Sequence, residues 1–578
     1  MLCFRYPVRI NMATSNWYFE LDAKEFHAME FVEFIKTPKV DNVVLHKPYQ
    51  PRVEGTLCLT GHHLILSSRK TNTEELWLLH SNIDAIEKKL IGSMGQLTIK
   101  CKNFKVIQLD IPNVDDCLNV VSSIESLSNI ETVSMMYPFF YRPMSTEKTE
   151  DGWEAYIPEV EFNKIDKDVW RLSTVNKSYQ VCKSYPHAVI VPKNITDEML
   201  KLSAAFRSGG RFPVLSYYHK SNKTSLMRSS QPLTGQSDKR CKDDEKLLNA
   251  CLDTNHRGYI IDTRSSNAAL AARTKGGGFE SESNYSQWRR INKALEKVTN
   301  LQESLSKLIE ACRDRGCSMD KWLTRLDSSN WLDHVKEVLT TACLTAQCID
   351  REGACVLVHG SEGVDSTLQV TSLAQVILDP DCRTMRGFQA LIEREWIQSG
   401  HPFTRRCYKS AFNPGKFKFV GPVFLLFLDC VHQIHEQFPC SFEFSEKFLI
   451  FLFEQAYASQ YGTFMCNNDA ERKKLHLSFK TMSLWSYVNR PNVLETFLNP
   501  LYQPNNVVLW PSVAPQSLTL WSGLFQRWEF DPRPFDDALN EIAAIKEQDK
   551  NMKLHVQRLR RELAELQKEA LQKGLISE

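Results

Sequence analysis

Val356-Leu357-Val358-His359-Gly360-Ser361-Glu362-Gly363-Val364-Asp365-Ser366-Thr367 is the stretch on which the fold turns. A short β-branched run meets a loop of small residues. Residues 368–378 then carry apolar side chains at three- and four-residue spacing, which predicts a helix. Strand, tight loop and helix start together make an anion cradle: backbone N–H groups converge on one spot, and the helix dipole favours negative charge there. An ordinary turn between a strand and a helix has the same pattern, so the loop alone does not establish a ligand.

Residue by residue, the loop resembles the H-C-S-D-G-W-D-R-T loop of the myotubularin phosphoinositide phosphatases, a form of the C-x5-R loop of cysteine phosphatases. His359, Ser361, Gly363, Asp365 and Thr367 stay in register. Gly360 stands where that family has its cysteine and Ser366 where it has its arginine, while Glu362 and Val364 replace its first Asp and its Trp. The chemistry needs a thiolate, lowered in pKa by the helix N-terminus, to attack phosphorus. Gly360 has no side chain to attack with, and the hydroxyl of Ser361 has no evident base. The family arginine clamps phosphoryl oxygens bidentately and steadies the transition state. Asp365 stands where the resemblance implies a general acid, which catalyses little without a nucleophile. Cys355 does not rescue the pattern, since its sixth following residue is Ser361. A catalytically dead phosphatase fold is expected, with no catalytic residue, cofactor or metal.

Length and composition frame this reading. The 578 residues suit two or three domains, and 42% hydrophobic with 24% charged residues is ordinary for globular protein. A net charge of +2 gives no case for nucleic acid as a partner. The 17 cysteines are scattered with no C-x-x-C pair, which fits reduced thiols rather than a disulfide framework or a zinc site. No apolar run approaches the ~18 residues of a membrane span.

Residues 1–28 have no signal-peptide core and read as an extension of uncertain structure. Strands are expected at 53–60, 63–68, 75–80, 97–101 and 105–111. An amphipathic helix follows over 114–127, with Val114, Cys117, Leu118, Val121, Ile124 and Leu127 inward. Strands closed by one helix resemble the PH-like GRAM module that precedes myotubularin phosphatase domains, here over 29–142. Arg69, Lys70, Lys88, Lys89, Lys100, Lys102 and Lys105 are its candidate contacts for a phosphoinositide headgroup, a weak contact set against a merely solvated basic face.

A polar linker leads to a phosphatase-like domain over 151–530. Phe206-Arg207-Ser208-Gly209-Gly210-Arg211, Tyr259-Ile260-Ile261-Asp262-Thr263-Arg264, Ser483-Leu484-Trp485 and Trp510-Pro511-Ser512 resemble myotubularin runs. Lys275-Gly276-Gly277-Gly278-Phe279-Glu280 resembles one too and reads as a flexible turn, because no Lys-Ser/Thr follows as in a phosphate loop. Residues 404–421 read as a surface loop. His432 and His435 have the spacing of a metal pair without a third ligand, so core or surface histidines are the plainer reading.

After Pro532 and Pro534 the period changes to 3.5. Phe535, Ile542, Asp549, Val556, Leu563 and Ala570 fall at a, and Ala538, Ile545, Met552, Leu559 and Leu566 at d. Five such heptads predict a coiled coil over 535–573, with a single packed amphipathic helix as the alternative. Its partner-binding residues are Ile542, Ile545, Asp549, Met552, Val556, Leu559, Leu563 and Leu566. The resemblance implies an adaptor of the inactive branch. It would pair with active myotubularin-related phosphatases, the six, seven and eight subgroup, and regulate their activity, stability and placement. It would be cytoplasmic and peripheral on endosomal, perinuclear or endoplasmic reticulum membranes. The alternatives are an active phosphatase with a displaced nucleophile and a stand-alone 3-phosphoinositide-binding module. The expected architecture is multidomain: a β-rich PH-like GRAM domain, an α/β cysteine-phosphatase-like domain and a C-terminal coiled coil.

Overall fold

Alternation of buried and half-buried residues builds the first sheet. Its strands are β1 (Lys39–His46), β2 (Val53–Leu59), β3 (His63–Ser67), β4 (Leu76–Leu79), β5 (Ile83–Ile91), β6 (Met94–Cys101) and β7 (Val106–Ile111). They run antiparallel in the order β4-β3-β2-β1-β7-β6-β5. In β3, β4 and β6 every second residue is buried, the mark of a sheet covered on one face. The covering helix is Val114–Ser128, capped by Asn113, whose side chain accepts the N–H of Asp115. β1 and β5 lie outside the expected strands, and β5 ends in five consecutive exposed residues that obscure any period. The helix is turned slightly from the expected face. Leu118 is 36% exposed and Val120 points inward instead, because Gly95 of β6 approaches Cys117 closely and centres the buried stripe there.

The structure is a computed structural model that describes residues 31, 33–46, 52–68, 75–143, 150–252, 257–295, 297–314, 316–413, 417–529 and 533–573. The expected extension over 1–28, and Arg69 and Lys70, lie outside the described residues.

β8 (Trp170–Ser173) and β9 (Val189–Pro192) form a small antiparallel pair. The main second sheet holds β10 (Val214–His219), β11 (Thr224–Ser230), β12 (Gly258–Asp262), β13 (Trp288–Asn292) and β14 (Val356–Gly360), ordered β10-β11-β14-β12-β13. β14 is central, buried throughout and parallel to both neighbours, as a run apolar on both faces requires. Ser230 pairs with Gly360 and Asp262 with His359, so three strands end at one level and the loop leaves from their carboxyl ends. The loop helix, Ser366–Leu378, packs behind the sheet and is buried at every residue from Thr367 onward.

The two sheets belong to one packed body. Phe104 stacks on Phe453 with ring centroids 5.1 Å apart. Asp84 accepts the N–H of Ser410 at 2.8 Å and of Phe412 at 2.9 Å. This corrects the expected surface loop over 404–421 in its first half: Arg406, Lys409, Ser410 and Ala411 are buried, because residues 406–412 are wedged between the first sheet and the phosphatase-like body, while Lys418 and Phe419 are exposed. The chain ends in one 40-residue helix, Arg533–Gln572. Among the described residues no second helix lies against it, so a coiled coil is not observed. Among the described residues no helix is long and apolar enough to cross a membrane.

Candidate functional site

The loop is held from beneath by buried charge. His359 is fully buried, with Nε2 2.9 Å from Glu280 Oε2. The other Glu280 oxygen accepts Arg207 at 2.6 Å, and Arg207 reaches Asp244 through two bonds of 2.9 and 2.6 Å. Burial pushes the Glu280 carboxyl up, but the facing His359 and Arg207 more than reverse it and hold the group well below the usual carboxylate range. The Gly-rich run before Glu280 is therefore pinned rather than flexible. Its Gly277 and Gly278 lie against the side chains of Gln231 and Thr234, too close for any Cβ, and the Gly278 carbonyl accepts Arg264 at 2.9 Å.

The loop itself is held by several internal partners. A Cβ on Gly360 would lie 2.6 Å from Thr263 Oγ1, and that hydroxyl stands 2.8 Å from Ser366 Oγ. The space above the strand end thus belongs to two neutral hydroxyls. Gly363 has φ +74°, and a Cβ there would come within 2.3 Å of the Ser229 carbonyl, so glycine is required twice over. Arg211 donates to the Gly363 carbonyl at 2.7 Å, and His401 Nδ1 donates to the Val364 carbonyl at 2.8 Å. Burial lowers His401 to about 4, which keeps the ring neutral near pH 7. Asp365 accepts Arg406 bidentately, at 2.9 and 2.7 Å. A carboxylate gripped in this way is charge-compensated and poorly placed to give up a proton. Thr367 is fully buried, and its hydroxyl has no hydrogen-bond partner among the described residues. Only Ser361 and Glu362 reach solvent fully.

Outside the loop lies a cleft of about 640 Å³, bordered by Thr263, Arg264, Lys297, Arg406 and Lys418. Arg264 is engaged with Asp262 at 2.8 and 2.7 Å and Arg406 with Asp365, which leaves Lys297 and Lys418 as the exposed cations, opposed by Glu362 at the mouth. Such a cleft can attract an anion; among the described residues its lining has no cysteine, and its two guanidinium groups are both bound to carboxylates. Cys355 lies just before β14, donates its thiol to the Cys251 carbonyl at 3.2 Å, and is pushed up in pKa by burial.

A family profile described as "Myotubularin-like phosphatase domain" matches residues 136–473, and one described as "MTMR6-9, GRAM domain" matches residues 39–128. The chain is 63% identical over 543 residues to "Myotubularin-related protein 9" of Mus musculus, covering 94% of this chain and 99% of that one. The chain belongs to the myotubularin family. Identity is 44% over 519 residues to "Myotubularin-related protein 9" of Caenorhabditis elegans, covering 87% of this chain and 91% of that one. It is 39% over 535 residues to "Phosphatidylinositol-3-phosphate phosphatase MTMR7" of Homo sapiens, covering 89% and 80%.

The sequence reading of this myotubularin loop names its nine residues but none of the groups that hold them. Arg207, Arg211, Thr263 and Glu280 stand in runs singled out by resemblance, yet nothing in the linear order pairs Arg207 with both Asp244 and Glu280. Arg406 was hidden in the supposed surface loop. The candidate headgroup contacts are dispersed: Lys88 and Lys89 are exposed, Lys100 is paired with Glu87, Lys105 lies over the Trp528 ring, and Lys102 is buried. His432 stacks on Trp521 at 4.6 Å and His435 Nε2 lies 3.2 Å from the Phe444 carbonyl, so both belong to packing. On the tail helix Ile545, Met552, Val556, Leu559, Leu563 and Leu566 are all exposed, and Asp549 pairs with Lys553 at 2.7 Å; the side chain of Ile542 is outside the described residues.

Proposed function

We propose that the protein is a catalytically inactive myotubularin that acts as an adaptor for active myotubularin-related phosphatases. The observation that carries the reading is the loop: Gly360 and Ser366 supply neither nucleophile nor phosphate clamp, and Asp365 is spent on Arg406. The partners are active family members of the six, seven and eight subgroup, which act on phosphatidylinositol 3-phosphate and the 3,5-bisphosphate. The adaptor raises their activity or stability and seats them on endosomal, perinuclear or endoplasmic reticulum membranes. Support for the partner surface comes from the exposed stripe Ile545, Met552, Val556, Leu559, Leu563 and Leu566, which has the spacing of a coiled-coil seam. In this reading residues 29–142 are the GRAM-like domain, 151–530 the phosphatase-like domain and 535–573 the pairing segment.

The pure protein is expected to release no phosphate from either 3-phosphoinositide above a blank, and to capture an active relative only when residues 535–573 are present. Phosphate release that disappears in Asp365→Ala would overturn the inactive reading. Capture that survives removal of the tail would overturn the assigned surface.

A further inference from the structure

A second cavity, of about 120 Å³, lies at the joint between the first sheet and the phosphatase-like body and shares no lining residue with the loop cleft. Lys102 enters it from the end of β6. The residue is clamped between the two units, since its N–H donates to the Asn82 carbonyl at 2.7 Å and its own carbonyl accepts Ser410 Oγ at 2.9 Å. Its side chain is only 5% exposed. Among the described residues its ammonium makes no hydrogen bond and no ion pair; the nearest π face is the Tyr408 ring, 5.9 Å away. Asp84, the neighbouring carboxylate, is already taken by the backbone N–H groups of Ser410 and Phe412 and by Asn413. Burial, followed by the nearby Lys409, lowers Lys102 to about 8, so it is still largely charged near pH 7. A buried cation left without an anion is costly.

His80 lines the same cavity and is 1% exposed. Its Nε2 donates to the Thr60 carbonyl at 3.0 Å, which settles the tautomer and leaves a lone pair on Nδ1. Burial lowers His80 to about 4, and Nδ1 finds no hydrogen-bond partner among the described residues. Among the described residues the lining of the joint therefore includes an unpaired cation and an unpaired acceptor. Ser81, Tyr137 and Thr404 add polar groups to the lining, and Leu127, Met136 and Phe464 make it apolar elsewhere.

We propose that this cavity binds a small hydroxyl-bearing phosphate, with anionic oxygens on Lys102 and a hydroxyl donating to His80 Nδ1. Free hydrogen phosphate and a phosphorylated polyol headgroup share that chemistry. A bound anion would bridge the first sheet to the short helix Phe403–Arg406, whose Arg406 grips Asp365 at the loop. The inference is independent of the adaptor reading.

The test is lysine dimethylation of the full chain with formaldehyde and cyanoborohydride at about pH 8, mapped by peptide mass spectrometry. The probes are inorganic phosphate, dibutanoyl phosphatidylinositol 3-phosphate, and acetate, which carries no hydroxyl. An anion that tightens Lys102's hold on its proton about tenfold lowers its free-amine fraction near pH 8 about fivefold. Phosphate or the soluble lipid is expected to slow labelling of Lys102 by about that factor, with acetate much weaker and His80→Phe abolishing the preference. Protection at a lower concentration of lipid than of phosphate assigns the headgroup as the source; the reverse assigns free phosphate. Unchanged Lys102 labelling with both phosphates overturns the site, as does equal protection by acetate.

Discussion

Every residue of the loop helix from Thr367 to Leu378 is buried, whereas Met552, Leu559, Leu563 and Leu566 of the tail helix are 47 to 63% exposed. Both helices carry leucines at helical spacing, so local pattern does not separate them. The difference lies in what surrounds each. The loop helix sits behind the central strand of a sheet and is covered on all sides. Among the described residues, the apolar stripe of the tail from Ile545 to Leu566 is exposed and is covered by no other element. The charges follow the same division. At the loop, Asp365 and Glu280 are consumed by Arg406, Arg207 and His359, while on the tail the pairs are local and solvated, such as Asp549 with Lys553. The comparison teaches that the charges at the loop are used up inside the fold, while the apolar stripe of the tail faces solvent.

Breaking the charge network beneath the loop should have the largest effect. Arg207→Ala leaves Asp244 and Glu280 buried without their cation, and about 3–5 kcal/mol of stability should be lost. Urea denaturation reads this directly; a loss below about 1 kcal/mol would mean that water or a shifted side chain replaces the guanidinium.

The two helices can be set against each other with one chemical change. Leu373→Ala in the loop helix should cost about 2–5 kcal/mol, because Leu373 is fully buried and leaves a cavity. Leu559→Ala on the tail should stay within about 0.5 kcal/mol in thermal unfolding, yet weaken capture of a partner. Equal costs at the two sites would show that the tail is packed on the body in solution.

A smaller effect tests the neutral hydroxyls above the strand end. Gly360→Ala forces the Thr263 hydroxyl aside and should cost about 1–3 kcal/mol. In a Thr263→Ala background most of that cost should vanish, which a double-mutant cycle measures. Additive costs would place the strain in the backbone rather than at Thr263.

The smallest effect belongs to Asp549. Asp549→Leu removes an exposed pair with Lys553 worth about 0.3–0.5 kcal/mol and should hardly move the melting of the body. It should strengthen self-association of a peptide of residues 535–573 in analytical ultracentrifugation. In a parallel, in-register homodimer two Asp549 side chains would face one another at an a layer, which disfavours self-pairing. A wild-type peptide that is already a tight homodimer, unaltered by the substitution, would refute that role.

Local signals carried much of this far. The helix Val114–Ser128 is where the amphipathic period predicts it, and the strand, loop and helix around His359–Thr367 have the order read from their spacing. Glycine at 360 and serine at 366 are facts of the sequence: the first carries no thiol and the second no guanidinium. Other expectations failed for a common reason. Residues 404–421 looked like surface because their polar and glycine content lacks a period, but Asp84 takes their N–H groups from another sheet. Leu118 fits the helical period as well as Val120 does, and only the close approach of Gly95 to Cys117 decides which faces inward.

By itself the sequence determined the alternation that makes the first sheet, the absence of a thiol at 360 and of a guanidinium at 366, and the heptad stripe of the tail, because each depends on residues within a few positions of one another. Tertiary structure alone decided the rest. Arg207 meets Asp244 37 residues away and Glu280 73 residues away, Asp365 meets Arg406 41 residues away, and Lys102 reaches a joint built by residues about 300 positions later. Buried charges take their partners from whatever the folded backbone brings within hydrogen-bond reach, and spacing along the chain does not encode that distance.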